Sequence, residues 1–269
     1  MKLLLVGGDR RFIYLRDLLR RDGHEVSAFG LGDDAPLEKA ASGARACILP
    51  LPALDREGNI PCPLSGKSVS PALLRSALDP DCAVFAGKAE GLRSLFPKVR
   101  DYYQEEALLY LNASITAEGA LRCLMDALPI TLREGRFLVT GGGRIGLELC
   151  RRLRALGADT ACLCRSALSL VRAAELGVRA VRDPDGELWA ADAIINTVPS
   201  PILGQNELSL TRPDVFLLEL ASPPYGFDMG AAGRLGRAVS VASGIPGRYA
   251  PKSAAGAIHT ALRNMLTEL

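Results

Sequence analysis

The chain has 269 residues, 48% of them hydrophobic and 23% charged, and a formal net charge of +2 at pH 7. This balance is too even for nucleic acid or an anionic membrane to be the partner, and no apolar run approaches the ~18 residues of a membrane span. The length predicts two domains of about 100–200 residues each. The amino terminus lacks the long apolar region of a signal peptide, so we predict that a first strand begins there.

The chain contains seven cysteines, and none of them forms a Cys-x-x-Cys pair. An odd number of cysteines without metal-binding spacing predicts buried thiols in a reducing cytoplasm and gives no indication of a zinc or iron–sulfur site. We therefore expect a cytoplasmic protein without a bound metal.

Residues 1–111 are predicted to form a small N-terminal α/β domain that carries the substrate site. We expect a helix at 11–21 and strands at 2–6, 25–29, 46–51 and 83–86. This alternation of strands and helices predicts a parallel, doubly wound sheet. The proline- and glycine-rich residues 55–70 are expected to form a surface loop or a short hairpin. Helical periodicity after residue 112 predicts a linking helix in 112–132.

The stretch 137–146 is the strongest functional signal in the chain. It consists of a short apolar strand, the turn Gly141-x-Gly143-x-x-Gly146 and the start of a helix. In a dinucleotide site the first glycine permits the tight turn, the second lets the backbone approach a pyrophosphate, and the third lets helix and strand pack closely. The helix N-terminus at Arg144 and Ile145 presents backbone N–H groups to the phosphates. We predict a nucleotide cofactor here, and the alternative is an empty Rossmann-like turn.

Residues 133–250 are predicted to form the cofactor domain. Its strands are expected at 137–140, 160–164, 179–181, 193–197, 215–219 and 238–241. The C-terminal segment 251–269 is expected to form a helix that returns to the N-terminal domain. The predicted fold is therefore α/β, with two doubly wound parallel-sheet (Rossmann-like) domains, a cleft between them, and a C-terminal helix that packs across the boundary.

The end of the second strand of this domain indicates which nicotinamide cofactor binds. An NAD site places Asp or Glu about 20 residues beyond the first glycine, but here the strand is followed by Arg165 and Ser166. A guanidinium and a hydroxyl suit a 2′-phosphate, so we predict NADP, with NAD as the alternative cofactor. The other interpretation is that Arg165 is a solvated loop charge.

Two further loops of this domain are predicted to border the cofactor. In doubly wound sheets the loops after the strand ends line the ligand crevice. The cofactor-binding candidates are therefore Asn196, Thr197 and Pro199 after the fourth strand, and Ala221 and Ser222 after the fifth. The alternative is that these are strand ends without ligand contacts.

Beyond the glycine turn, the chain contains a specific set of short strings in a fixed order. They are Gly7-Gly8-Asp9-Arg10, Leu49-Pro50-Leu51-Pro52, Asn112-Ala-x-x-Thr116-Ala117-Glu118-Gly119-Ala120, Asn196-Thr197-x-Pro199, Leu220-Ala221-Ser222-Pro223 and Gly244-x-Pro246-Gly247-x-x-Ala250-Pro251-Lys252. Through them the chain resembles, over essentially its whole length, the A-subunit family of dipicolinate synthase from spore-forming bacteria.

The resemblance implies a two-domain arrangement similar to formate/glycerate dehydrogenases. It also implies oxidation of a lysine-pathway intermediate, 4-hydroxy-tetrahydrodipicolinate or its dehydrated form, to pyridine-2,6-dicarboxylate, the calcium-chelating acid of spores. The implied partner is a flavoprotein-like B subunit, and the implied setting is the mother cell of a sporulating bacterium. A homo-oligomer is expected as well.

A substrate with two carboxylates requires cationic or amide-rich pockets. The candidates are cations close to strand ends or to the start of the last helix. They are Arg10, Arg11, Lys88, Arg248 and Lys252.

The proton-transfer residue is predicted to lie on the linking helix. D-2-hydroxyacid dehydrogenases share the architecture and use a His–carboxylate pair with an Arg, but His24 and His259 are both predicted to be structural. Glu118 is therefore predicted to transfer the proton, with Thr116 or Asn112 orienting the substrate near the start of the helix. The alternative is that Glu118 is a helix N-terminal carboxylate stabilised by the helix dipole.

Two rival functions remain open at this point. The first is a 2-hydroxyacid or amino-acid dehydrogenase on the same fold, which requires a catalytic His or Lys. The second is a non-catalytic, nucleotide-sensing subunit that activates a partner.

Overall fold

The computed structural model describes residues 1–32 and 35–269. It divides into two compact units, one formed by Met1–Asn112 with Pro246–Leu269 and the other by Ala113–Ile245. Each unit contains its own parallel sheet. The predicted fold class, two doubly wound parallel sheets, is confirmed.

The first unit is built on a five-stranded sheet. In chain order its elements are β1 (Lys2–Val6), α1 (Arg10–Arg21), β2 (Glu25–Phe29), α2 (Leu37–Ala41), β3 (Ala46–Ile48), β4 (Ile60–Cys62), β5 (Lys67–Val69), α3 (Pro71–Ala77), β6 (Ala83–Ala86) and β7 (Arg100–Asp101). The strand order is β2-β1-β3-β6-β7, and β4 pairs with β5 in a separate antiparallel hairpin. The short strand β7 lies outside the predicted strands, since two residues are too few to show a periodicity.

Both faces of this sheet are covered, as a doubly wound sheet requires. Leu3 and Leu5 of β1 lie in one buried cluster with α1, whereas Leu4 and Val6 lie in a second cluster with α2 and α3. Every residue of β1 after Lys2 is therefore buried, so the strand is a continuous apolar run.

The long helix α4 (Glu106–Ala127) follows, and the boundary between the units falls within it. It begins before Asn112, which the sequence analysis placed at the helix start. Glu106 places a carboxylate in the first turn, where it is stabilised by the helix dipole. No proline interrupts the run from 106 to 112, so the helix forms there as well.

The second unit is built on a six-stranded parallel sheet. Its elements are β8 (Arg136–Thr140), α5 (Arg144–Ala155), β9 (Asp159–Leu163), α6 (Ala167–Glu175), β10 (Arg179–Val181), α7 (Asp185–Leu188), β11 (Ala193–Asn196), α8 (Gln205–Ser209), β12 (Phe216–Glu219), α9 (Met229–Arg234) and β13 (Val239–Val241). The strand order is β10-β9-β8-β11-β12-β13. The order reverses beside β8, and ligands bind at such a switch point in open α/β sheets.

Two helices end the chain, α10 (Ile245–Tyr249) and α11 (Pro251–Leu266). The apolar face of α11, with Ile258 and Leu262, packs on α1 through the buried cluster that contains Leu15 and Leu19. The Nε2 atom of His259 lies 2.8 Å from Oδ2 of Asp22, the residue that ends α1. The C-terminal helix is thus part of the first unit.

The seven cysteines are all free thiols. Burial raises the pKa of Cys164 to about 12, so its nucleophilic thiolate form is scarce at neutral pH. No three His, Cys, Asp or Glu side chains among residues 1–32 and 35–269 form a group that could hold a metal ion. In the same part of the chain, no helix is long and apolar enough to cross a membrane.

Candidate functional site

The glycine turn after β8 is closed at Gly141 and Gly146 by contacts that tolerate no side chain. At Gly146 a Cβ atom would lie 1.8 Å from the carbonyl oxygen of Gly141, so α5 and β8 approach each other as closely as backbones allow. Gly141 itself has φ +99°, a conformation that strongly favours glycine. The turn also packs on Thr197, whose Oγ1 donates to the Thr140 carbonyl at 2.7 Å.

The second glycine of the motif has open space in front of it. Among the described residues, no heavy atom outside its chain neighbours lies within 4 Å of where a Cβ of Gly143 would be. Gly143 is the N-cap residue of α5 and has no side chain that could cap the helix. The backbone N–H groups of its first turn therefore have no acceptor within the helix. The first turn contains no carboxylate, so this helix N-terminus is suited to an anion.

The carboxyl end of β9 carries cationic groups where an NAD site has a carboxylate. Arg165 is exposed there. Ser166 caps α6, because its Oγ accepts from the Ser169 N–H at 3.1 Å. Arg182, the residue after β10, donates from Nη1 to the Arg165 carbonyl at 3.4 Å. The sequence analysis missed Arg182, although the end of β10 was a detectable signal, since parallel neighbouring strands end at the same edge.

A buried polar network joins the ends of β8, β11 and β12. Asn196 is 0% exposed, and its Oδ1 accepts from Thr140 Oγ1 at 2.6 Å and from the Val198 N–H at 3.1 Å. Its Nδ2 donates to the Val198 carbonyl at 2.9 Å and to Glu219 Oε1 at 2.6 Å. The side chain thus uses its whole hydrogen-bonding capacity inside the protein. The Asn196 side chain therefore has no donor or acceptor left for the predicted cofactor contact.

Glu219 organises the loop after β12 and was not predicted as a site residue. It is also 0% exposed. Its carboxylate accepts from the N–H groups of Ala221 at 2.8 Å, Gly226 at 2.9 Å and Phe227 at 3.3 Å. These bonds compensate the burial of the charge and hold the loop that carries Ala221 and Ser222.

The remaining cofactor candidates lie on the surface of these loops. Thr197 is half-buried and Pro199 is exposed after β11, whereas Ala221 is half-buried and Ser222 is exposed after β12. Their strands are neighbours of β8 on one side of the sheet, in the order β8-β11-β12. The structure thus brings these residues to the same edge as the glycine turn.

In the first unit, Arg11 is the most constrained of the predicted substrate cations. Its Nε donates to Asp9 Oδ1 at 2.9 Å and Oδ2 at 3.1 Å, and its Nη2 donates to the Leu51 carbonyl at 2.5 Å. The side chain is 14% exposed. A Cβ on Gly247 would lie 2.8 Å from Asp9 Oδ2, so the backbone of α10 covers this ion pair directly.

Lys88 lies at the carboxyl end of β6, at the same edge of the sheet. Its φ of 61° is left-handed, which is uncommon outside glycine. Its N–H donates to Asp101 Oδ1 at 3.1 Å, and its Nζ lies 5.5 Å from the centroid of the Tyr103 ring. Arg10, Arg248 and Lys252 are exposed, and the Arg248 guanidinium lies over the Tyr249 ring at 5.5 Å.

The predicted trio on the linking helix is not brought together. Thr116 is buried, and residues two positions apart on a helix face away from each other, so Glu118 lies on the other side. Asn112 shares the face of Thr116, four positions before it, but it lies inside the helix rather than at its start.

Glu118 is 69% exposed and pairs with Arg152 at 3.3 Å. It lies mid-helix, so the alternative of a helix N-terminal carboxylate is wrong. Hydrogen bonds from Arg151 and Arg152 lower the pKa of the neighbouring Glu148 to about 2. Glu118 therefore belongs to a surface ion-pair network.

Comparisons with known sequences and with solved structures both find dipicolinate synthase A subunits similar to this chain. Residues 2–98 match the family model of the N-terminal domain of the dipicolinate synthase A subunit. The chain is 28% identical to the dipicolinate synthase A subunit of Bacillus subtilis (strain 168), over 100% of this chain and 97% of the relative. The crystal structure of the A chain of Bacillus subtilis dipicolinate synthase superposes with a TM-score of 0.87 at 26% identity, covering 100% of this chain and 96% of that chain.

The resemblance to the dipicolinate synthase A-subunit family is confirmed. The crystal structure of the dipicolinate synthase A subunit from Bacillus halodurans shares the fold, with a TM-score of 0.90 at 23% identity over 100% of this chain and 98% of that chain. The similarity to the Bacillus subtilis protein includes both units. The glycine turn and the cluster around Arg11 and Lys88 therefore both lie within the region of similarity to that protein.

Proposed function

We propose that the chain is an NAD(P)-dependent oxidoreductase subunit of a dipicolinate synthase. It converts 4-hydroxy-tetrahydrodipicolinate, or its dehydrated form, into pyridine-2,6-dicarboxylate. The observation that carries the proposal is the full-length similarity to a dipicolinate synthase A subunit. The open space at Gly143, at the N-terminus of α5, supports it independently.

The proposed reaction has two balanced steps. Loss of the 4-hydroxyl as water gives a dihydropyridine dicarboxylate. Removal of a hydride and a proton from the ring then gives the aromatic product. Because aromatisation supplies much of the driving force, the protein mainly has to bind and orient the substrate and to exclude competing reactions.

The second unit supplies the residues that fit a dinucleotide. The backbone N–H groups at the start of α5 would bind the pyrophosphate, and Arg165 and Arg182 would bind a 2′-phosphate. The loops that carry Thr197 and Ser222 border the same edge, and Glu219 holds the second of them in place. When bound, NADP supplies the hydride acceptor. We propose NADP as the preferred cofactor, with NAD as the alternative.

The first unit supplies two cations for two carboxylates. Arg11 donates to the Leu51 carbonyl, and Gly87, the residue before Lys88, donates its N–H to the Pro50 carbonyl at 3.0 Å. Arg11 and the residue before Lys88 are thus both hydrogen-bonded to the segment 49–52 at the carboxyl edge of the sheet. A dicarboxylate bound there has one cation for each acidic group. We assign no proton transfer to Glu118, because Arg152 holds its carboxylate.

The positions of the histidines weaken the rival dehydrogenase function in the form that uses a catalytic histidine. His24 precedes β2 and His259 pairs with the end of α1, at the amino edge of the first sheet. Neither lies at the carboxyl edge with Arg11 and Lys88, so the His–carboxylate–Arg arrangement of D-2-hydroxyacid dehydrogenases is not formed.

Turnover by the purified chain tests the proposal. We expect that mixing it with enzymatically generated 4-hydroxy-tetrahydrodipicolinate and NADP, with and without a B subunit, raises the absorbance of NADPH and of the pyridine product together. A 2-hydroxy or 2-amino acid turned over instead would show the rival dehydrogenase. Tight cofactor binding without any turnover, even with the second subunit, would show a nucleotide-sensing subunit.

The cofactor preference is tested by removing the two guanidinium groups. Arg165→Ala and Arg182→Ala are each expected to lower the affinity for NADP about tenfold, because each loses a charge-assisted contact to the 2′-phosphate. NAD affinity should stay unchanged, and Arg172→Ala, an exposed arginine on α6, serves as the control. Isothermal titration with both cofactors measures this. Equal losses for NAD and NADP would contradict the 2′-phosphate assignment.

The substrate site is tested at Arg11. Arg11→Ala is expected to raise the KM for the dicarboxylate at least about tenfold, since one charged partner is lost. Arg11→Lys should recover only part of this, because lysine lacks the planar fork that binds Asp9 and Leu51 together. Steady-state kinetics gives the values, and Arg21→Ala on the same helix is the control. An unchanged KM in Arg11→Ala would remove Arg11 from the site.

A further inference from the structure

We infer that Asp101 is a positioning residue of the substrate site: it holds the backbone of Lys88 and so fixes the ammonium group that binds one substrate carboxylate. This inference rests on the proposed function. It adds a residue that acts through Lys88 without touching the substrate.

The backbone of Lys88 is the first observation. Its φ of 61° lies in the left-handed region, which costs free energy for a residue with a Cβ. Glycine would adopt this conformation freely. A lysine persists there only when the surrounding structure holds it, and strained positions of this kind cluster at functional sites.

The Asp101 carboxylate holds the Lys88 backbone in this conformation. Its Oδ1 accepts from the N–H of Lys88 at 3.1 Å and from the N–H of Tyr103 at 2.8 Å, while its Oδ2 accepts from the N–H of Ala89 at 3.1 Å. The pairing of β7 with β6, which sets Ala86 opposite Asp101, brings the carboxylate to this place.

The same carboxylate orders the surroundings of the lysine side chain. The Lys88 ammonium lies over the ring of Tyr103, at 5.5 Å from its centroid, and the Tyr103 backbone is bonded to Asp101. Asp101 therefore fixes both the base of the lysine and the aromatic ring against which its charged end rests. The side chain itself is exposed, so the ammonium group is accessible to a ligand.

A double-mutant cycle tests the inference without requiring turnover. The readout is binding of pyridine-2,6-dicarboxylate to the full chain by isothermal titration, together with the KM of the reaction. Lys88→Gly and Asp101→Asn are each expected to weaken binding about tenfold and to raise KM with little change in kcat. Asp101→Asn in the Lys88→Gly background should weaken binding no further. Asp55→Asn, which alters another backbone-binding carboxylate of the same unit, is the matched control.

Thermal unfolding separates this role from a merely structural one. Asp101→Asn should lower the melting temperature more in Lys88→Ala than in Lys88→Gly, because only alanine has to be held in the left-handed conformation. This comparison remains informative if Asp101→Asn alone is too unstable to titrate, since Lys88→Gly should restore its folding.

The outcomes distinguish the inference from the proposed function. If the wild-type chain turns over substrate but Asp101→Asn binds the dicarboxylate normally, or loses affinity equally in both backgrounds, the positioning role is overturned and the function stands. If the chain binds the dicarboxylate but shows no turnover even with a B subunit, the proposed function fails and the cycle still decides the role of Asp101. Failure of the wild-type chain to bind the dicarboxylate would overturn the inference in either case.

Discussion

Gly146→Ala is expected to destabilise the second unit by at least about 3 kcal/mol, the upper end of the range for overpacked substitutions. The new methyl group would lie 1.8 Å from the Gly141 carbonyl oxygen, and this obstacle is backbone that no rotamer change can move. Relief requires α5 to separate from β8, which displaces the N–H groups proposed to bind the pyrophosphate. NADP affinity should therefore fall about 100-fold or more. Urea unfolding and cofactor titration measure the two effects.

Gly143→Ala is the matched control on the same turn. Its φ of −86° is open to any residue, and its Cβ would have no described neighbour within 4 Å. We expect normal stability but weaker cofactor binding, because the methyl group occupies the space through which the pyrophosphate approaches. If Gly143→Ala bound NADP as tightly as the wild type, the cofactor would not bind at this turn.

Glu219→Ala is expected to destabilise the protein by about 3–5 kcal/mol, the cost of removing one partner from a buried charged network. The substitution leaves one N–H of the Asn196 amide and the backbone N–H groups of Ala221 and Gly226 without their acceptor. Each unsatisfied buried donor costs about 1–3 kcal/mol. The free energy of unfolding in urea tests this value.

Glu207→Ala is the comparison for this variant. Glu207 accepts one backbone N–H, that of Gly204 at 2.8 Å, at the start of α8. Its loss should cost about 0.5–2 kcal/mol, as for other helix caps. A Glu219→Ala variant no less stable than Glu207→Ala would show that the network does not hold the strand ends.

The two proposed sites differ in how they present charge. In the second unit the anion site consists mainly of backbone N–H groups on a turn that tolerates no side chain at Gly141 or Gly146. In the first unit the cations are side chains, and each is fixed by a carboxylate: Asp9 binds the Arg11 guanidinium, and Asp101 binds the Lys88 backbone. Substitutions of Asp9 or Asp101 should therefore change substrate affinity more than the rate of the chemical step.

Local patterns were enough to predict the two parallel sheets and the position of the glycine turn. Buried runs such as Lys2–Val6 and Ala193–Asn196 show their strand character within a few residues, and the spacing of Gly141, Gly143 and Gly146 is itself a local steric requirement. The motif strings were likewise sufficient to detect the resemblance to the dipicolinate synthase A-subunit family.

Only the tertiary structure decided which polar side chains are free to act. Asn196 and Thr197 are neighbours in the chain, yet the register of β11 between β8 and β12 buries the first against Glu219 and leaves the second half-exposed. Likewise, Glu118 is bound by Arg152, and Lys88 is held by Asp101 from a two-residue strand. These partners are distant in sequence, and their pairing depends on strand register and helix packing, which no short window of residues contains.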